Sequence, residues 1–135
     1  MFEGVLMEFD PSRPIWLQLV AEFSRRIVVG EWTPGGRIAG VRELAGGLGV
    51  NPNTVQRALA ELEREGLCRS ERTSGRFVTD DAARIDALRN QLAATAVDDY
   101  ILGVRGLGMA LPNATALVSE RWPLHDNTDD SSHTY

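Results

Sequence analysis

A chain of 135 residues, 43% of them hydrophobic, can bury one modest core, or a small domain with an appendage, and leaves little room for a large enclosed pocket. Its 14 basic side chains, all arginine, stand against 19 acidic ones, and the net charge of −5 excludes nucleic-acid binding by bulk positive charge, so any such role rests on where the charges fall. The single Cys68 excludes an internal disulfide, no His/Cys cluster has metal-ligand spacing, and no nucleophile, base or phosphate loop supports an enzyme, so neither metal nor cofactor is expected.

The first 13 residues hold the apolar clusters Val5-Leu6-Met7 and Phe9 and then the turn-like Asp10-Pro11-Ser12, which reads as an arm packing through Phe9. Pro14 is placed to open a helix. Ile15, Leu19, Phe23 and Ile27 then recur on one face, with Trp16 and Val20 widening the stripe, and Gly30 ends it. Residues 31–37 contain Pro34 and paired glycines and must turn, leaving Trp32 to pack and Ile38 to begin the next element.

Residues 38–67 are the centre of the chain. Val41, Leu44, Ala45 and Leu48 fall at i, i+3, i+4 and i+7, one apolar face of a helix that Gly49 closes. Asn51 suits an N-cap and Pro52 the first helical position, where the N–H that proline lacks would be unpaired anyway. Val55, Ala58, Leu59 and Leu62 form the stripe of this second helix, while Asn53, Thr54, Gln56 and Arg57 lie in its first two turns and largely off the stripe. Such side chains reach base edges and phosphates, and two helices separated by a short glycine turn have helix-turn-helix spacing. Gly66 ends the second helix, and residues 67–70 and 76–79 flank a polar turn as a β-hairpin wing. Residues 37–76 carry seven Arg against five Glu, a local balance of +2 that suits a phosphate-contacting face.

From Asp80-Asp81, acids suited to a helix N-terminus, one helix of roughly 25 residues is expected. Its stripe is Ile85, Leu88, Leu92, Ala96, Val97, Tyr100, Ile101, Val104 and Leu107. A shorter helix over residues 112–122 turns Leu111, Thr115, Val118 and Trp122 inward, and Tyr100, Arg105 and Trp122 are candidates to line a small pocket. Two helices make no useful core alone, so their apolar faces need a partner, and a homodimer follows. Its expected interface is Ile85, Leu88, Leu92, Val97, Tyr100, Ile101, Val104 and Leu107. The domain reading is thus a winged head over residues 1–79, a dimerisation region over 80–122 and a polar, flexible tail over 123–135, in which His125 and His133 form no ligand set. No apolar run reaches membrane-spanning length and no basic segment leads into an apolar one at the start, so a cytoplasmic protein without membrane contact is expected.

The head resembles the winged helix of the GntR family of bacterial transcription regulators. The resemblance lies in Pro14-Ile15-Trp16 with Gln18, Gly30 with Pro34-Gly35, Val41-Arg42-Glu43-Leu44-Ala45, residues 50–55, Ala58 with Leu62, Glu65-Gly66-Leu67, and Gly75 with Phe77-Val78. It covers residues 9–79, and the short C-terminal part is similar to the YtrA-type branch, whose two C-terminal helices dimerise. Two positions depart from the family: Ala39-Gly40 stands where Pro-Ser is usual, and Thr73 where the wing usually has the first glycine of Gly-x-Gly. The resemblance implies a mainly α fold with a β-hairpin wing, and DNA contact by Arg42, by Asn51, Asn53, Thr54 and Gln56, and by Ser74, Gly75 and Arg76 at the wing. Arg57 and Arg72 join the set from position and charge. The expected function is a sequence-specific regulator, a repressor more than an activator, binding a two-fold symmetric operator on double-stranded DNA as a homodimer, with any effector acting through residues 79–84. The alternative is a winged-helix protein-interaction module without DNA binding.

Overall fold

The computed structural model describes the backbone of residues 7–132 and the side chains of residues 7–126. The expectations for Val5-Leu6 and His133 lie outside the described residues. The element order is α1 (Ile15–Val28), β1 (Arg37–Ile38), α2 (Val41–Leu48), α3 (Pro52–Arg64), β2 (Cys68–Glu71), β3 (Gly75–Val78), α4 (Ala82–Gly106) and α5 (Leu111–Ser132). The fold is mainly helical with a small antiparallel sheet, and it divides into two compact units, the first ending at Gln91 and the second starting at Leu92.

In the first unit α3 packs on both α1 and α2. Leu19, Phe23 and Ile27 of α1 meet Val55, Leu59 and Leu62 of α3 in a core closed by Ile38, Leu67 and Val78. Each such side chain contributes roughly 1.5–3 kcal/mol by leaving water. Trp32 stacks on Phe23 with ring centroids 4.8 Å apart, the packing role its place in the turn suggested. Ile15 departs from the expected stripe: it sits in the first turn of α1 and is exposed, while Ser24 is buried instead. Before α1, Gln18 straps the turn down, accepting from the Asp10 N–H at 2.9 Å and donating to the Asp10 carbonyl at 2.8 Å.

The caps follow the residues that forecast them. Gly49 takes the left-handed conformation at φ 72° to end α2, and the Asn51 side chain accepts from the Asn53 N–H at 2.7 Å to start α3. The sheet has the order β1-β3-β2, so the wing hairpin gains a third strand, β1, in which Arg37 pairs with Phe77 and Ile38 with Arg76. A two-residue strand has no alternation to reveal it, and residues 31–37 read only as a turn.

The head also takes in the start of α4. Asp81 caps that helix by accepting from the N–H groups of Ala83 and Arg84, and Ile85 and Leu88 are buried. Arg84 donates to the Glu65 carbonyl at 3.1 Å and Arg89 to the Val28 carbonyl at 2.8 Å, placing two cations at the C-terminal ends of α3 and α1, where the helix dipoles favour them. Residues 79–84, expected as the joint between units, therefore lie inside the first one. Ile85 and Leu88, expected in the dimer interface, belong to the core of the head.

In the second unit Gly108, at φ 80°, turns the chain from α4 into α5, and the Tyr100 hydroxyl donates to the Ala114 carbonyl at 2.7 Å. Ala114 is buried, whereas Leu111, Val118 and Trp122 are exposed rather than turned inward. The helix also runs past Pro123 to Ser132, so the segment expected as a frayed tail is largely helical; Pro123 withholds one backbone N–H without ending it. Among the described residues no helix is long and apolar enough to cross a membrane.

Candidate nucleic-acid interface

Three pieces of the head carry the candidate residues: the first turns of α3, the N-terminus of α2 and the wing. The buried stripe of α3 fixes which of its residues face outward. With Val55, Ala58, Leu59 and Leu62 inside, Asn51, Asn53, Gln56 and Arg57 are exposed and Thr54 is half-buried. The Asn51 oxygen is taken by its capping bond, which leaves its amide N–H groups as donors toward solvent. Arg57 is not extended along the helix: its guanidinium carbon lies 4.1 Å from the centre of the Trp16 ring, and Asn53, Thr54 and Arg57 line a shallow groove with Ile15 and Trp16 of α1. Residues at i and i+4 share a face, so Asn53 stands above Arg57 and Gln56 falls to the opposite side of Asn53. Helix α3 thus has a cationic flank beside α1 and a neutral amide flank away from it.

At α2, Arg42 is exposed in the first turn. The N-cap is Gly40, which has no side chain to cap with, so the departure from Pro-Ser leaves the opening amides of α2 without a side-chain acceptor.

In the wing, Arg72, Thr73 and Ser74 form the exposed tip between β2 and β3. Gly75 follows at φ 111°, a conformation that a side chain would strain. Arg76 does not join the tip. It is half-buried, with its side chain 17% exposed, and its Nε donates at 3.4 Å to Glu63 of α3, which also accepts from the Ser70 hydroxyl at 2.8 Å. Ser70 and Arg76 face each other across the hairpin, so one carboxylate holds both strands against α3. The Ser70 hydrogen bond, more than the nearby Arg76 charge, holds the Glu63 carboxyl below its ordinary pKa. Arg76 is therefore a strap within the head rather than a residue presented outward.

Sequence reasoning missed Arg37. In sequence it contributes only to the local charge balance, at the end of a turn, and the structure places it on β1 with its Nε donating to the Ser74 carbonyl at 3.0 Å. Its signal lay in the register of β1 on β3, which no local pattern encodes.

This architecture has close counterparts among known proteins. Residues 16–78 match the family described as bacterial regulatory proteins, gntR family. The HTH-type transcriptional regulator YhcF of Bacillus subtilis is 34% identical over 102 residues, which span 76% of this chain and 84% of that protein. The chain belongs to the GntR family. It is also 32% identical to the HTH-type transcriptional repressor YtrA of Bacillus subtilis, over 73% of this chain and 82% of the repressor. A GntR family transcriptional regulator from Listeria monocytogenes superposes with a TM-score of 0.75 at 38% identity, covering 83% of this chain and 98% of that one. These matches extend beyond the winged head, so the resemblance to the YtrA-type branch holds over most of the chain. As a GntR-family protein, the chain carries the DNA-binding domain of transcriptional regulators, in a family that is not enzymatic.

Proposed function

We propose that the protein is a homodimeric repressor that binds a two-fold symmetric operator in the cytoplasm, each subunit laying α3 in the major groove with the wing alongside. The observation that carries this reading is the outward face of the head. Asn53, Gln56 and Arg57 on α3, Arg42 on α2 and Arg72 on the wing are all exposed, while Glu63 beside the wing is occupied by Ser70 and Arg76 and Glu71 within it by Arg69. A net negative protein thereby offers DNA a face whose arginines outnumber its available acids. Gln56, clear of Trp16, is the base reader; Arg57, drawn to the α1 side, grips the backbone. The name of YtrA as a repressor supports repression.

Dimerisation rests on the second unit. Val97, Ile101 and Leu102 of α4, Leu107 just after it, and Leu111, Val118, Trp122 and Leu124 of α5 are exposed, Leu107 at 82% and Trp122 at 68%. An apolar groove of about 440 Å³ opens beside Tyr100, Val118 and Trp122. Exposed apolar surface on this scale marks an association site, and two identical helix pairs facing each other cover it without a second protein. Of the interface expected from sequence, Val97, Ile101 and Leu107 remain fully available, Leu92, Tyr100 and Val104 partly so.

Selection of duplexes from a random-sequence pool by the full chain tests the DNA reading, with light scattering of the free protein alongside. Recovery of a motif with two inverted half-sites and a mass of two chains supports it. Failure to enrich any motif overturns it in favour of a protein-interaction module.

A further inference from the structure

We infer that Arg37 is a positioning residue for DNA binding, bracing the tip of the wing at the angle at which it meets the sugar-phosphate wall. The inference rests on the DNA-binding reading and goes beyond it, because Arg37 enters the sequence reading only through the local charge balance and is not among the residues expected to contact DNA.

The wing is attached to the head unevenly. At its base, Cys68 pairs with Val78 and the Thr79 N–H donates to the Leu67 carbonyl at 2.9 Å. Midway, Glu63 holds Ser70 and Arg76. The backbone pairing of β1 onto β3 stops at Arg76, short of the tip. Arg37 carries the attachment further. Its Nε donates at 3.0 Å to the carbonyl of Ser74, a residue of the tip itself, across 37 positions of sequence. Its guanidinium also covers Gly75: a Cβ built there would lie 3.1 Å from Nε and 3.2 Å from Nη2. Glycine at 75 thus meets two demands, the positive φ and the close approach of Arg37.

This brace matters because the tip has little backbone bonding of its own: between the strands it makes one backbone hydrogen bond, Ser74 N–H to the Glu71 carbonyl at 3.3 Å. A planar, always-charged guanidinium that spends one N–H on a carbonyl keeps four more in a fixed fork. Arg37 is exposed and lines, with Gly40, Val41 and Arg72, the groove between the α2 N-terminus and the wing. The fork therefore sets the width of the groove that a DNA backbone would enter, and the tip is presented without first having to be ordered by the DNA.

The test uses full-length protein, with Arg37→Ala, Gly75→Ala, the double variant and Arg42→Ala, and the duplex recovered by selection. Without DNA, amide exchange at residues 72–75 is expected to rise about tenfold in Arg37→Ala while exchange in α3 stays unchanged. With DNA, that variant is expected to lose footprint protection at the outer flanks of each half-site and keep it at the centre. Gly75→Ala should weaken binding less in the Arg37→Ala background than in the native one, because the guanidinium that the new methyl would crowd and displace is gone and only the φ strain remains. Unchanged wing exchange, intact flanks or additive effects would each overturn the brace. If Arg37→Ala lowers the melting temperature of the head, Arg37→Lys, which keeps a donor for the Ser74 carbonyl, must restore both exchange and flanks. Native protein that protects no duplex would overturn the DNA reading and this inference with it. Loss of binding in Arg42→Ala with native behaviour in Arg37→Ala would overturn the brace alone.

Discussion

Single side chains in this head divide between those turned outward and those that hold the outward ones in place. Arg42 is of the first kind, exposed on a helix whose cap contributes no side chain. Its replacement by alanine is expected to weaken operator binding by about 1–3 kcal/mol, read by anisotropy, while light scattering still finds the dimer. Arg57 and Trp16 act as a pair: over the ring the guanidinium gains about 0.5–2 kcal/mol and a fixed direction. Trp16→Ala and Arg57→Ala are therefore expected to cost less together than the sum of their separate losses in operator affinity. Glu63 is of the second kind. Its pKa is depressed in the folded head, so the stability it adds is complete above the ordinary glutamate value and is lost as pH falls through the depressed one. Between about pH 5 and pH 3 the thermal midpoint of the native protein should fall further than that of Glu63→Gln, and equal falls would contradict the strap.

The elements show which features a linear pattern can forecast. The three head helices were legible because their signals are local: apolar residues at helical spacing, the Asn51-Pro52 start, and Gly49 and Gly66 at the ends. β1 was not, since two residues carry no period and its pairing partner lies about forty residues on. The inward turn of Arg76 was hidden for the same reason, because it depends on Glu63 arriving from α3. α5 misled in the opposite direction: Pro123 is a local stop signal, yet the helix passes through it. α4 is the most instructive, since its apolar residues read as one stripe for one interface. Ile85 and Leu88, at 6% and 2% exposure, are consumed by the head, and only later residues are left to meet a partner. Leu88→Ala is accordingly expected to destabilise the head by about 2–5 kcal/mol in urea melts, where Leu107→Ala should leave it nearly unchanged.

For the whole molecule, the head accounts for where DNA would be read and the second unit for why two heads would act together. An operator with inverted half-sites needs two subunits, and joining them makes the second half-site contact intramolecular. Ile101→Asp places a charge in the exposed face of α4 and should shift the protein to monomers in light scattering, leave the helical circular dichroism of the head intact and reduce operator affinity. A variant that stays dimeric would move the interface elsewhere. The most direct measurement of the central claim is anisotropy of the native protein against its selected duplex and a scrambled control across a salt series. Binding is expected at two chains per duplex, at least about a thousandfold tighter than to the scramble and weakening steeply with salt. Equal, weak affinity for both duplexes would contradict that claim.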